Sequence, residues 1–406
     1  MLSRKKEFVQ FDLARCVQCG TCLAACPQDA LNLTLRNDGL WVITPITEKC
    51  SQCFRCVAVC PAHSLPQKKI FQADLNTVLD LHLTHASDPA IRSRSSSGGA
   101  ARILARTALE TGLVNTVYAV TTSGQYPWAE GTPLTQPLEV SRLANSMYLP
   151  ILVNKHLHKI QNSGPVLLVG TTCQLLAAER LLKNTCKQIY KIAIFCKQQK
   201  NLKSTCFMAK RLGLDPLDRD YAQVEYRGVN WPGRVQINGK QMKWETAASL
   251  PYGKRLWRVP GCRLCSNPFG IEADLTLADP WGLDKAGTPG NTLVAVWTLK
   301  GRALLEGCQH QLTIKEIDKA FLSRSVTWRD IQRKRLLVDY YAGVKVPLHV
   351  HLCGLTERFQ TSMFELLLEH SVLPEFAYRV LGRIPDATNV FLKGFLKIKC
   401  SSQQQI

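Results

Sequence analysis

The chain has 406 residues, a formal net charge of +20, 46% hydrophobic side chains and 17 cysteines. That length exceeds one small domain and supplies apolar material for more than one core. The opening MLSRKKEF carries no apolar h-region, and no window approaches about 18 uninterrupted apolar residues, so neither export nor a membrane span is expected and the setting reads as cytoplasmic and reducing.

Residues 1–15 read as a short strand leading into Cys16-x2-Cys19-x2-Cys22-x3-Cys26-Pro27, a run that recurs as Cys50-x2-Cys53-x2-Cys56-x3-Cys60-Pro61. This is the spacing of bacterial two-cluster ferredoxins, in which the fourth cysteine of each run crosses to the other [4Fe-4S] cluster. Cluster one is expected on Cys16, Cys19, Cys22 and Cys60, and cluster two on Cys50, Cys53, Cys56 and Cys26. Disulfides fit a reducing setting poorly, and zinc has no use for a third cysteine in each run. Between the runs, residues 30–35 and 40–44 flank Asn37-Asp38-Gly39, a hairpin signal. The module is expected to end near Gln67.

Leu75, Val78, Leu79 and Leu83 have helical spacing, which predicts one helix within 68–97. The stretch from Arg92 to Gly99 is polar and basic like a linker, but it runs into a predicted helix over 100–111 that Gly112 closes. A Ser/Gly turn there, with Arg92, Arg94 and Arg102 nearby, is either an anion cradle for a phosphate or flavin or an ordinary capped loop. A strand is expected at 114–121 and a short helix or turn at 143–149. Strand 166–170, helix 175–182 and strand 189–195 then form a unit whose two strands should be parallel. Cys173 and Cys196 fall just past those strands, on the edge where open α/β sheets place ligands, although each alone reads as a small buried residue.

Strands are expected at 223–227, 234–237, 274–278 and 293–299. Cys262-Arg263-Leu264-Cys265 is half a metal site, a redox dithiol or chance. Helices are expected at 328–341 and 361–370. The basic, apolar tail from 373 to 400 can lie on a membrane surface, though packing on its own domain is commoner. The fold class is α+β with α/β: a ferredoxin-like domain over 1–67, an α/β domain over 68–320 and a helical C-terminal region over 321–406. The basic charge suits an acidic electron carrier such as a ferredoxin, or an anionic redox coenzyme. Nucleic acid is the weakest partner, since no zinc-finger, helix-turn-helix or RNA-recognition signature is present.

In order along the chain stand Ser97-Gly98-Gly99, Gly170-Thr171-Thr172-Cys173-Gln174, Phe195-Cys196, Tyr226-Arg227-Gly228 with Trp231-Pro232-Gly233, then Cys262 and Cys265, then Asp279-Pro280-Trp281-Gly282. With this series the chain resembles the coenzyme F420 hydrogenase/dehydrogenase beta-subunit family, over roughly residues 10–300. The resemblance implies a flavin-binding α/β domain holding FAD, with Ser97, Gly98, Gly99, Gly170, Thr171, Asp279 and Trp281 as its contacts. It also implies a third [4Fe-4S] cluster, on Cys173, Cys196, Cys262 and Cys265. Cys186, Cys206, Cys308, Cys353 and Cys400 match no motif and read as structural. Thr172 departs from the family's usual proline, Lys197-Gln198 from a glycine-containing turn, Ser266-Asn267 from an acidic pair and Ala278 from a glycine.

The function expected is a flavin iron–sulfur oxidoreductase, exchanging electrons between one-electron carriers and a two-electron substrate through FAD. The alternatives are a non-catalytic electron-transfer subunit and, more weakly, a nucleic-acid-binding iron–sulfur protein. Tyr148, Lys155 and His156 lie near the flavin region of the resemblance, but no catalytic acid or base is assigned.

Overall fold

Asn37-Asp38-Gly39 closes an antiparallel hairpin, β1 (Leu31–Leu35) with β2 (Trp41–Pro45), as its turn chemistry dictates. The computed structural model describes residues 9–64, 69–162, 164–215, 221, 223–325, 328–386 and 388. Beside the hairpin, each cysteine run wraps into a left-handed turn and one short helix, Thr21–Ala24 or Arg55–Ala58. Gln18 and Gln52, and Gly20 and Phe54, hold positive φ at equivalent places, so the repeat is structural as well as textual. The exchange of glycine for phenylalanine has a packing cause. A Cβ on Gly20 would meet the Leu152 carbonyl oxygen at 2.9 Å, whereas Phe54 faces solvent.

The remaining strands are β3 (Asp80–Ala86), β4 (Thr116–Thr122), β5 (Ala129–Leu134), β6 (Pro165–Gly170), β7 (Gln188–Ile194), β8 (Val224–Glu225), β9 (Arg234–Ile237), β10 (Lys240–Lys243), β11 (Leu275–Ala278), β12 (Thr292–Val296) and β13 (Leu312–Glu316). Eight of them form one mixed sheet in the order β13-β3-β12-β11-β7-β6-β4-β5. Its centre, β11-β7-β6-β4, is parallel, including the β6–β7 pair expected from the strand–helix–strand order. The helix Ala100–Glu110 buries Ile103, Leu104 and Ala108 on one face of the sheet. Helix Thr172–Leu182 buries Leu175, Ala178 and Leu182 on the other. Strands β8–β10 form a small antiparallel sheet, and Trp244, Leu250 and Phe207 pack with Val235 and Ile237 beside it.

Several expectations are corrected. Residues 9–12 lie in no regular element and 13–15 form a turn, with the Asp12 carboxylate accepting from the Ala14 N–H at 2.8 Å, not a strand. The helix expected within 68–97 is confined to Gln72–Leu75 and Pro89–Arg94, and the leucines between them lie in and beside β3. Leu79, Leu81 and Leu83 also alternate, and β3 hydrogen-bonds on both sides, to β12 and β13. Tertiary pairing therefore overrides the helical spacing. Residues 144–149 are irregular rather than helical. The expected module end at Gln67, the start of the first strand over residues 1–8, and Cys400 lie outside the described residues. No helix among the described residues is long and apolar enough to cross a membrane.

Candidate functional site

The two cysteine runs bring their thiols together in crossed sets. Burial pushes the Cys16 thiol up to about 12, against hydrogen bonds from Gln18, and its neighbours Cys19 and Cys60 push it further. Cys22, raised first by burial, feels Cys19, Cys16 and Cys60 in turn. Cys56 is raised by burial and then by Cys26 and Cys53. A small cavity beside the hairpin is lined by Cys26, Cys50, Cys53 and Cys56. Thiols that raise one another's pKa are disfavoured as free thiolates, and a metal that takes all of them removes that cost. Among the described residues no group of three or more His, Cys, Asp or Glu side chains is placed to hold a metal ion. Each expected set is four cysteines with no histidine or carboxylate, which is the ligand complement of a cubane.

A third set forms at the carboxyl edge of the large sheet. Cys173 stands in the first turn of the helix after β6, Cys196 follows β7, and Cys262 sits in the short turn Pro260–Arg263 with Cys265 beyond it. Cys173 is raised well above its ordinary value by burial and then by Cys265 and Cys262, with Cys196 adding to this. Burial pushes Cys196 up to about 12, Cys262 and Cys265 contribute, and Lys334 pulls the other way. The third set abuts the first: Val17, Cys19, Ala177 and Leu264 form one apolar cluster with Cys173 against it. The Gly261 N–H donates to the Cys16 carbonyl at 3.2 Å, and a Cβ on Gly261 would meet that oxygen at 2.6 Å. Asn154 clamps the same seam, donating from its backbone to the Cys19 carbonyl and from its side chain to the Thr21 hydroxyl and the Gln174 carbonyl, each at 2.8 Å.

Cys196 also lines a cavity of about 700 Å³ that opens over the same sheet edge. Cofactor and ligand pockets run to about 300–1,000 Å³. Ser97, Gly99, Gly170, Thr171, Asp279 and Trp281 are on its wall. Gly98 is not among the lining residues; its Cα faces the sheet, where a Cβ would meet the Thr84 carbonyl oxygen at 2.4 Å. Gly99 sits at positive φ before the helix Ala100–Glu110, and no side chain caps that terminus. Among the described residues the Ala100 and Ala101 N–H groups have no acceptor and are open to a ligand anion, while the Arg102 N–H donates to the Gly99 carbonyl at 3.1 Å; Thr171 and Gln174 cap the helix after β6 themselves. Gln198 Oε1 and the Tyr252 hydroxyl, both on the wall, are buried with no hydrogen-bond partner among the described residues. A large cavity with an uncapped helix end and orphaned polar atoms fits a phosphate-bearing cofactor such as FAD.

The sequence did not single out the most connected wall residue as a charge. Arg227 is 1% exposed and donates to Asp279 at 3.0 and 3.3 Å, to the Tyr148 hydroxyl at 3.1 Å and to the Ser96 carbonyl at 2.8 Å. It also donates to the Pro232 carbonyl. Burial alone would lower its pKa, but Asp279 and Tyr148 hold it above the usual arginine value. Ser97 Oγ donates to the same Asp279 carboxylate at 2.9 Å, so the family-type Ser97 and Asp279 meet directly. Tyr148 stacks on Trp244 at 4.7 Å, giving the wall an aromatic face. Lys155 and His156 do not line the cavity.

The far end is closed by helices that follow residue 320. Tyr341 and Glu357 come from Trp328–Tyr341 and Leu348–His370, and Arg258 and Arg255 meet Glu357 at 2.7 and 3.2 Å. Burial would raise the Glu357 carboxyl, but Arg258, Arg255 and Arg333 hold it well below the usual carboxylate range. No spacing rule links positions so far apart, so this network was not legible in the sequence.

Comparison with known families gives three matches. Residues 10–68 match the 4Fe-4S dicluster domain, residues 81–158 the N-terminal domain of the coenzyme F420 hydrogenase/dehydrogenase beta subunit, and residues 164–320 its C-terminal domain. A solved structure of the F420-reducing [NiFe] hydrogenase complex from Methanosarcina barkeri is similar at a TM-score of 0.51 and 15% identity, covering 68% of this chain and 93% of that one. That likeness concerns the fold. No curated protein matches the sequence.

Proposed function

Because the chain belongs to the coenzyme F420 hydrogenase/dehydrogenase beta-subunit family, with a 4Fe-4S dicluster domain ahead of it, we propose that it is a flavin iron–sulfur oxidoreductase. An iron–sulfur redox protein follows from the family alone. One observation carries the flavin and the third cluster: Cys196 is both a wall residue of the large cavity and a near neighbour of Cys262 and Cys265. A cofactor bound in that cavity would therefore lie beside a thiol set that in turn packs on the first ferredoxin set.

Bound FAD would supply the exchange between a two-electron partner and one-electron carriers. The residues' own work is binding and insulation. The Ala100 and Ala101 N–H groups would face the phosphates of a bound FAD, and the Arg227–Asp279 pair fixes the Ser96–Ser97 backbone that leads to them. Tyr148, Trp244 and Tyr252 give an apolar face that excludes water. Cys173, Cys196, Cys262 and Cys265 would hold a third [4Fe-4S] cluster, with Cys16, Cys19, Cys22 and Cys60 next and Cys26, Cys50, Cys53 and Cys56 beyond them. The last set lies beside exposed Phe54, with Cys53 itself exposed, which suits docking of an acidic one-electron carrier against this basic chain.

The direct test is anaerobic turnover with an artificial one-electron donor and a panel of two-electron acceptors, including the deazaflavin and nicotinamides. Turnover of one acceptor is expected. Bleaching of the clusters with no turnover of any acceptor favours a relay subunit whose chemistry lies on a partner.

A further inference from the structure

Apolar exposure in this chain is concentrated. Among the described residues, twelve of the eighteen exposed large apolar side chains fall between Val344 and Ile384. Scattered single apolar residues need no explanation, but a contiguous row does. On helix Leu348–His370 the exposed row is Leu348, Leu352, Leu355, Phe359, Met363 and Leu366, spaced three or four residues apart and so on one face. The next helix, Glu375–Arg383, adds exposed Phe376 and Val380. Gln360 donates to the Pro385 carbonyl at 3.0 Å, which ties the two segments together.

The charges on these helices are sorted by sign. Every acid bonds to the body of the protein. Glu357 accepts from Arg258 at 2.7 Å, and Glu365 from the Trp257 N–H. Glu369 accepts from Lys203 at 2.7 Å and from the Trp257 indole at 2.8 Å, and Glu375 from Arg211 at 2.5 Å. Arg358, Arg379 and Arg383 are exposed.

From this sorting we infer that the outer faces of the two helices, with Arg358, Arg379 and Arg383 on their rim, bind the surface of an anionic lipid bilayer. An apolar row sinks into the interface, basic side chains on the rim meet anionic headgroups, and the net charge of +20 adds long-range attraction. A second copy of the chain fits the row less well. It would bring two such basic surfaces together, and the acids that could pair with them are already engaged. The inference is independent of the flavin reading.

The test is flotation of the full-length, anaerobically purified protein with vesicles of phosphatidylcholine alone or mixed with phosphatidylglycerol. Binding to the mixed vesicles is expected to be at least about tenfold stronger and to weaken with salt. The triple variant Leu352→Ser/Phe359→Ser/Phe376→Ser, all exposed positions off the cavity, should lose about tenfold while keeping its circular dichroism. No binding to either vesicle, or equal binding by the variant, overturns the inference. So does a lipid-free dimer that the variant abolishes, or binding gained only when residues 387–406 are removed, which would mean the chain's own end covers the row.

Discussion

Asp279→Asn should destabilise the fold by about 3–5 kcal/mol and empty the large cavity of flavin. The carboxylate is the counter-charge of an arginine that is 1% exposed, and removing one partner of a buried pair leaves the other ion uncompensated. An amide keeps the shape of Asp279 and can still accept one hydrogen bond from Arg227, but it supplies no charge. The loss reaches further than one contact. Arg227 joins Ser96, Tyr148 and Asp279 on the wall to the turn at Pro232 behind it, so its displacement reaches four segments. A control is built into the chain. Arg142 and Glu139 form a pair 3.9 Å apart with Arg142 half exposed, and Glu139→Gln there should cost no more than about 1 kcal/mol. Denaturant unfolding with FAD quantified in each protein reads both effects. A cost for Asp279→Asn as small as the control, with FAD retained, would contradict the assignment of this pair to the cofactor wall.

Cys173→Ser should lower the iron content from about twelve to about eight per chain and leave the spectrum of the ferredoxin pair unchanged. The residue packs on Val17, Cys19 and Leu264 and faces Cys262 and Cys265, so it belongs to the set between the cavity and the first ferredoxin set. Its loss breaks the chain of carriers in the middle. Flavin and ferredoxin clusters should each still be reduced by their own donors, yet exchange between them should fall to a small fraction of the native rate. Unchanged iron, or undiminished exchange, would mean that the third set holds no cluster.

What was legible in the sequence was local. The four-cysteine run fixes its own geometry within eleven residues, so the crossed sets could be written down from spacing, and the structure brings Cys60 to the first run and Cys26 to the second. The Asn37-Asp38-Gly39 turn and the β6–β7 unit were readable for the same reason: turn chemistry and a short crossover leave few alternatives. The strand β3 was not, because Leu75, Val78, Leu79 and Leu83 satisfy helical spacing and only pairing with β12 and β13 decides against it. Arg227 and Asp279 lie in separate motifs, and nothing in either announces an ion pair. The arginines around Glu357 were hidden too, since they come from Arg255, Arg258 and Arg333 and meet only when the last helices close over the cavity. The family resemblance makes Gly98 a flavin contact with Ser97 and Gly99, while in the fold its small size serves the approach of Thr84 and Thr292.

The cofactor content of the protein made and purified without oxygen tests electron transfer most directly. Iron, acid-labile sulfide and extracted flavin should be counted on one sample. About twelve irons, about twelve sulfides and one FAD per chain are expected from three cubane sets and one flavin cavity. A colourless protein free of FAD would contradict the electron-transfer reading at its root, and about eight irons with FAD present would remove the third set alone.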